Sequence, residues 1–176
     1  MKETPLDDLR HTLTHARLCH EAWWFIEGDN PAREGIVKVY NRYKDFFATV
    51  HPALFVTFIV KLCSVFDNDP NSISLKLLPG YETHPGFLDL WQRGRTLFLY
   101  RSKVIAHRDS AVTEKNFAAD TGFSYNDIKK ILDESCEMFD TIAGRIGAQP
   151  TYPFGCKDDL YLMIQDFEEQ LSAFAT

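Results

Sequence analysis

The sequence is short of positive charge, of paired cysteines and of long apolar runs, and each shortage removes a class of function. Nineteen Lys and Arg stand against 25 Asp and Glu, a net charge of -6. A broad basic surface gripping nucleic acid is therefore excluded, and any nucleic-acid site has to be local. The cysteines, Cys19, Cys63, Cys136 and Cys156, show no CxxC spacing. With three of them inside apolar helix-like stretches, they read as reduced, buried thiols of a cytoplasmic protein. Residues 1–10 lack the basic-then-apolar pattern of a leader. The longest apolar run, Ala53 to Val60, falls far short of a membrane span, so a soluble chain with no membrane role is expected. Period-two runs flanked by hairpin turns are missing too, as are repeats and low-complexity tracts.

What remains is ample core material: 176 residues, 45% apolar and 14% aromatic, with 14 Phe. That composition suits one folded domain over residues 1–176. Breakers and periodicity divide it into five or six helices, an all-α, up-and-down helical bundle. The first runs from Pro5, with Thr4 as N-cap and Asp7 and Asp8 in its first turn, to Glu27-Gly28. A second carries Ile36 to Phe47 and ends near His51-Pro52. Ala53 to Phe66 is apolar nearly all round and reads as a central helix, closed by Asp67-Asn68-Asp69-Pro70. A short turn over Ile73 to Leu78 precedes a helix from Pro85 to Ala106, in which Gly94 is a weak point. Ser124 caps the next, which ends at Gly147. A last amphipathic helix covers Asp158 to Phe174.

The chemistry is concentrated at the end of the fourth helix, where Arg101, Lys103, His107, Arg108 and Asp109 put five ionisable groups into nine positions. One reading is purely structural, because cations at a helix C-terminus offset the negative end of its dipole. Histidine titrates near neutrality and can move protons, while arginine stays charged and forks onto phosphate oxygens, which is the functional reading.

The string Arg101-Ser102-Lys103-Val104-Ile105-Ala106-His107-Arg108-Asp109 fits the Arg-x(4–6)-His motif of the HEPN superfamily (higher eukaryote and prokaryote nucleotide-binding domains). It resembles the abortive-infection, AbiU-like branch of that superfamily. The long helix that delivers the motif, the opening of the following helix at Tyr125, Asp127 and Ile128, and the all-α frame extend the likeness over most of the chain. The resemblance implies a HEPN-like helical bundle, usually dimeric, of the prokaryotic phage-defence and toxin type. Many such proteins cleave RNA without a metal; others only bind RNA or a nucleotide, or serve as interaction modules. An antitoxin partner is a further implication, and no cofactor or metal is implied. Carried over, Arg101 and His107 are the catalytic pair, with Ser102, Lys103, Arg108 and Asp109 supporting or binding RNA. Cleavage by the RNA's own 2′-hydroxyl needs proton transfer, for which His107 is suited. It also needs a cation at the phosphorane-like centre, for which Arg101 is suited. Ser102 departs from the strongly polar residue that active members often carry after the arginine. Asp109 is spaced to orient His107 or to pair with Arg108 or Arg101.

Along a regular α-helix, six residues turn about 240° and rise roughly 9 Å, so Arg101 and His107 would not share a face. Either the helix ends before His107, or two copies meet across a two-fold axis and line one cleft with both motifs. A homodimer is the expectation, and it also concentrates six cations in one groove of an acidic protein.

Other patterns carry less. His107-Arg108-Asp109 spells the kinase catalytic-loop tripeptide, but Asn116 is misplaced and no Gly-rich loop or Asp-Phe-Gly accompanies it. His11 and His15 stand one turn apart near His20 without complementary carboxylate or cysteine ligands, so a packing or surface role is expected. Trp23-Trp24-Phe25 reads as core or dimer contact rather than a base-stacking platform. Arg93 and Arg95 are spaced to extend a phosphate-binding strip, partly cancelled by Asp89 and Glu82.

Overall fold

A computed structural model describes residues 4–29, 31–106, 114–151 and 156–173. They form seven α-helices and no strand: α1 (Pro5–Glu27), α2 (Arg33–Arg42), α3 (Lys44–Ser64), α4 (Phe87–Tyr100), α5 (Glu114–Thr121), α6 (Tyr125–Arg145) and α7 (Lys157–Ala173). Two short 3₁₀ turns, Leu75–Leu77 and Tyr81–Thr83, lie between α3 and α4. The all-α class holds. Seven helices replace the expected five or six because α5 carries too weak an apolar pattern to be seen; the break expected at Pro52 lies elsewhere without changing the count.

That break is a finding about proline. The chain bends at Tyr43 (φ -118°, ψ 40°), while Tyr43 N–H still donates to the Val39 carbonyl and Phe47 N–H to the Tyr43 carbonyl. Pro52 sits inside α3. The hydrogen bond it removes is the one to the Ala48 carbonyl. Ala48 and Pro52 are both exposed, so water can satisfy that carbonyl. Continuing through Pro52 makes α3 long and apolar enough to cross a membrane by length and composition, with 22% of its most apolar window buried. The count of unbroken apolar residues missed this because His51-Pro52 and Lys61, all inside α3, bound it.

Local chemistry sets the helix ends. At α1, Thr4 and Asp7 cap each other: Asp7 N–H donates to Thr4 Oγ1 (3.2 Å), and Thr4 N–H donates to Asp7 Oδ2 (3.1 Å). Ser124 and Asp127 repeat the arrangement at α6. Gly28 closes α1, and a Cβ there would lie 2.7 Å from the Trp24 indole. Past α6, Gly147 adopts φ +68° and Ala148 N–H reaches back to the Ala143 carbonyl, a glycine C-cap. Thr151 then ties the chain to α6 by donating to both oxygens of Asp140, at 2.6 and 2.8 Å.

Where the sequence reads as one domain over 1–176, contacts divide the chain into two compact units, Met1–Ala16 with Ile59–Pro153, and Arg17–Phe58 with Phe154–Thr176. In the first, Leu62, Phe66, Leu97, Ile131, Leu132 and Phe139 are fully buried. Gly94 has its reason here: a Cβ would sit 2.4 Å from the Phe66 ring, so the missing side chain lets that ring lie against α4. In the second unit Phe25, Ile36, Val39 and Ile164 form the core, flanked by Phe47, Tyr161 and Phe167. Trp23 stacks on His51 (6.0 Å, 8°) and packs on Phe55, and Phe25 meets Tyr161 edge-on at 5.0 Å. Trp23 and Phe25 are thus packing residues as expected, while Trp24 is 43% exposed.

Candidate functional site

The site begins with α4, whose register is fixed by Phe87, Leu90, Trp91, Leu97 and Tyr100 on its buried face. Tyr100 is 3% exposed and packs edge-on against Phe117 of α5 at 5.4 Å, with Phe123 at 6.3 Å. This aromatic cluster anchors the last α-helical residue before the motif and the first helix after it.

Arg101–Ala106 is a π-helical turn. Such turns are closed by i→i+5 hydrogen bonds and are often found at functional sites. The regular α-helix assumed for the 240° relation between Arg101 and His107 therefore does not hold at Arg101–Ala106. Arg101 and Ser102 are half-buried and Lys103 is exposed. His107, Arg108 and Asp109 lie outside the described residues.

The Arg101 guanidinium stands over the Phe98 ring, 4.9 Å from its centre. Its charge also reaches inward: burial pushes the Cys63 thiol up to about 12, against a smaller opposing pull from Arg101. Cys63 donates to the Leu97 carbonyl at 3.7 Å, one turn before Arg101.

Phe98 is one wall of an open cleft of about 410 Å³, completed by Phe66, Asp67, Asn68, Arg95, Thr96 and Leu99. Asn68 is held by Lys76, whose ammonium donates to Asn68 Oδ1 at 2.8 Å while resting 4.4 Å from the Trp91 ring centre. Asp67 Oδ1 accepts from Asp69 N–H at 3.0 Å. The cleft thus combines aromatic surface, an arginine, a carboxylate and an oriented amide.

The two earlier arginines of α4 part company. Arg93 is engaged by carboxylates, with Nε 2.8 Å from Asp89 Oδ2 and a second contact to Glu134. That pairing takes it out of any phosphate-binding strip. Arg95 is exposed and lines the cleft.

The other patterns resolve simply. His20 is 5% exposed and meets Phe58 edge-on at 5.1 Å, a packing histidine. His11 and His15 are exposed, and among the described residues no group of three His, Cys, Asp or Glu side chains could hold a metal. None of the four cysteines is in a disulfide, and Cys19, Cys63 and Cys136 are buried.

Sequence reasoning missed the cleft. Asp67 and Asn68 read as a helix-closing turn and Phe98 as core. The available signal was the spacing of Phe98 and Arg101, three residues apart, which stacks an aromatic under a guanidinium on one helix face. A smaller cleft of about 220 Å³ in the other unit was missed as well. It gathers Glu27, Arg33, Tyr40 and His51, with His51 Nε2 3.4 Å from Glu27 Oε1.

Compared with known protein families, with curated proteins and with solved structures, the chain has no match.

Proposed function

We propose that this is a HEPN-like protein of the prokaryotic defence or toxin type, acting on RNA as a metal-independent endoribonuclease through a composite site at a homodimer interface. The observation that supports this reading is Arg101 itself. It opens a π-helical turn at the end of α4, held by the Phe98 ring beside an open cleft with a second arginine, in a protein whose net charge is -6. A cation fixed in that way offers its N–H fork to a phosphoryl group without first being ordered, so it favours the charge that grows in the transition state. His107 carries the proton-transfer role, and Lys103 and Arg108 add local positive charge. Ser102, Lys103, Arg108 and Asp109 support the pair. Dimerisation brings two such segments to one groove and makes an acidic chain locally cationic.

Structured RNA incubated with the purified protein in chelator tests the reading. Wild type cleaves it and His107→Ala does not; if both leave the RNA equally intact, the nuclease reading falls. Light scattering on the same sample is expected to return twice the chain mass.

A second reading is a module that binds RNA, a nucleotide or a partner protein, an antitoxin among them, without turnover. Ser102 favours it, since a lone hydroxyl after the arginine supplies less polarity than active members of the superfamily carry. Saturable nucleotide binding that Arg101→Ala abolishes, with no product formed, identifies that case.

A further inference from the structure

The cleft beside Arg101 has a chemistry more specific than phosphate binding. Three features define it. Phe98, half-buried, gives it aromatic surface, and a flat π-system of that kind is where a base stacks. Its volume of about 410 Å³ falls in the range of small-ligand sites, roughly 300–1,000 Å³. Its polar groups have fixed senses. The lysine ammonium can only donate, so the Asn68 atom it touches is the amide oxygen, and the amide nitrogen is left to donate elsewhere. Asp67 lines the same cleft, and its side chain can only accept when ionised; its Oδ1 already takes the Asp69 N–H, and each carboxylate oxygen can accept again. A residue with an amide donor thus neighbours one with a two-oxygen acceptor, in a cleft that Phe98 and Arg95 also line, with Arg101 on the Phe98 ring.

From this arrangement we infer that the cleft is a nucleobase subsite selective for guanine, with the attached phosphate directed to Arg95 and Arg101. Among the four RNA bases, guanine presents two adjacent N–H donors and a carbonyl on one edge. The donors match the two oxygens of Asp67, and the carbonyl matches the Asn68 amide. Adenine, cytosine and uracil each offer a single ring-edge donor group to a carboxylate and leave one oxygen without a partner. The inference rests on the reading of Arg101 as a phosphate group's partner, and it names the substrate feature that the site selects, a guanosine nucleotide.

Calorimetric titration of the full chain with the 5′-monophosphates of guanosine, adenosine, cytidine and uridine tests it without depending on cleavage. Guanosine monophosphate is expected to bind about tenfold more tightly than the others, the size of discrimination that one good bidentate contact provides. Asp67→Asn keeps the oxygen that accepts from Asp69 N–H, so the fold is expected to survive, as circular dichroism will report. In that variant the guanosine preference disappears. Arg101→Ala weakens all four nucleotides by a similar factor and leaves their order unchanged. Equal affinity for the four nucleotides, no binding of any, or an Asp67→Asn protein that still prefers guanosine overturns the subsite. Intact RNA in the cleavage assay with selective guanosine binding overturns the nuclease alone; cleavage without base preference overturns the subsite alone.

Discussion

The Arg101 guanidinium carbon lies 4.9 Å from the centre of the Phe98 ring, three residues back on the same helix. A cation over a ring at a partly exposed position is worth about 0.5–1 kcal/mol. A double-mutant cycle with Phe98→Leu and Arg101→Ala, read by urea unfolding, is expected to return a coupling of that size. A coupling of zero means the ring does not hold the guanidinium.

Gly94 and Phe66 are coupled through space in the opposite sense. Alanine at 94 gains helix propensity, yet its methyl carbon would fall 2.4 Å from the Phe66 ring. Overpacking of that kind costs about 1–3 kcal/mol. Gly94→Ala should therefore lower the urea midpoint, and adding Phe66→Leu should recover part of the loss. A Gly94→Ala protein more stable than wild type contradicts the packing described.

Acid should weaken the two helix starts. Hydrogen bonds from Ser124 hold the Asp127 carboxyl below its usual 3.8, and Thr4 does the same for Asp7. A carboxyl lowered in the folded state contributes stability above its unfolded value and loses it as pH falls through the folded one. The loss belongs below about pH 4. Carboxyl titration by NMR checks it: in Ser124→Ala the Asp127 value returns toward 3.8, and stability at pH 7 drops by about 1 kcal/mol, the usual cost of a lost cap.

At the alkaline end Cys63 contributes, alongside Tyr125, whose hydroxyl is also pushed up by burial. Burial raises the Cys63 thiol from 9.0 to about 12. The unfolded chain therefore loses that proton first, and stability falls as pH rises from 9 toward 12. At pH 8 an alkylating reagent followed by mass mapping should find Cys156, half-buried, modified well before Cys63. Rapid native labelling of Cys63 contradicts its burial.

The fold class was legible because helical periodicity and caps are local. Thr4, Ser124, Gly28 and Gly147 act within one turn of themselves, and each end they announce is where the chain turns. Pro52 misled because the cost of a proline depends on whether the orphaned carbonyl meets water, which burial decides. Helix α5 was hidden because Phe117 is its one deeply buried side chain among those described, and a single anchor has no period. At the candidate site, Arg101 stood out through its neighbours in sequence. Asp67 and Asn68 did not, because what joins them to Phe98 and Arg95 is the packing of the chain after α3 against α4, some thirty residues away.

Phe66 has two duties. Its ring fills the notch at Gly94 and meets Trp91, and the same buried residue lines the floor of the cleft. The cleft therefore cannot be enlarged from below: trimming that floor opens a void in the hydrophobic interior. Any change in what the cleft accepts, natural or engineered, has to come from the rim, where Leu99 and Thr96 can be exchanged without disturbing Phe66 or the ring under Arg101.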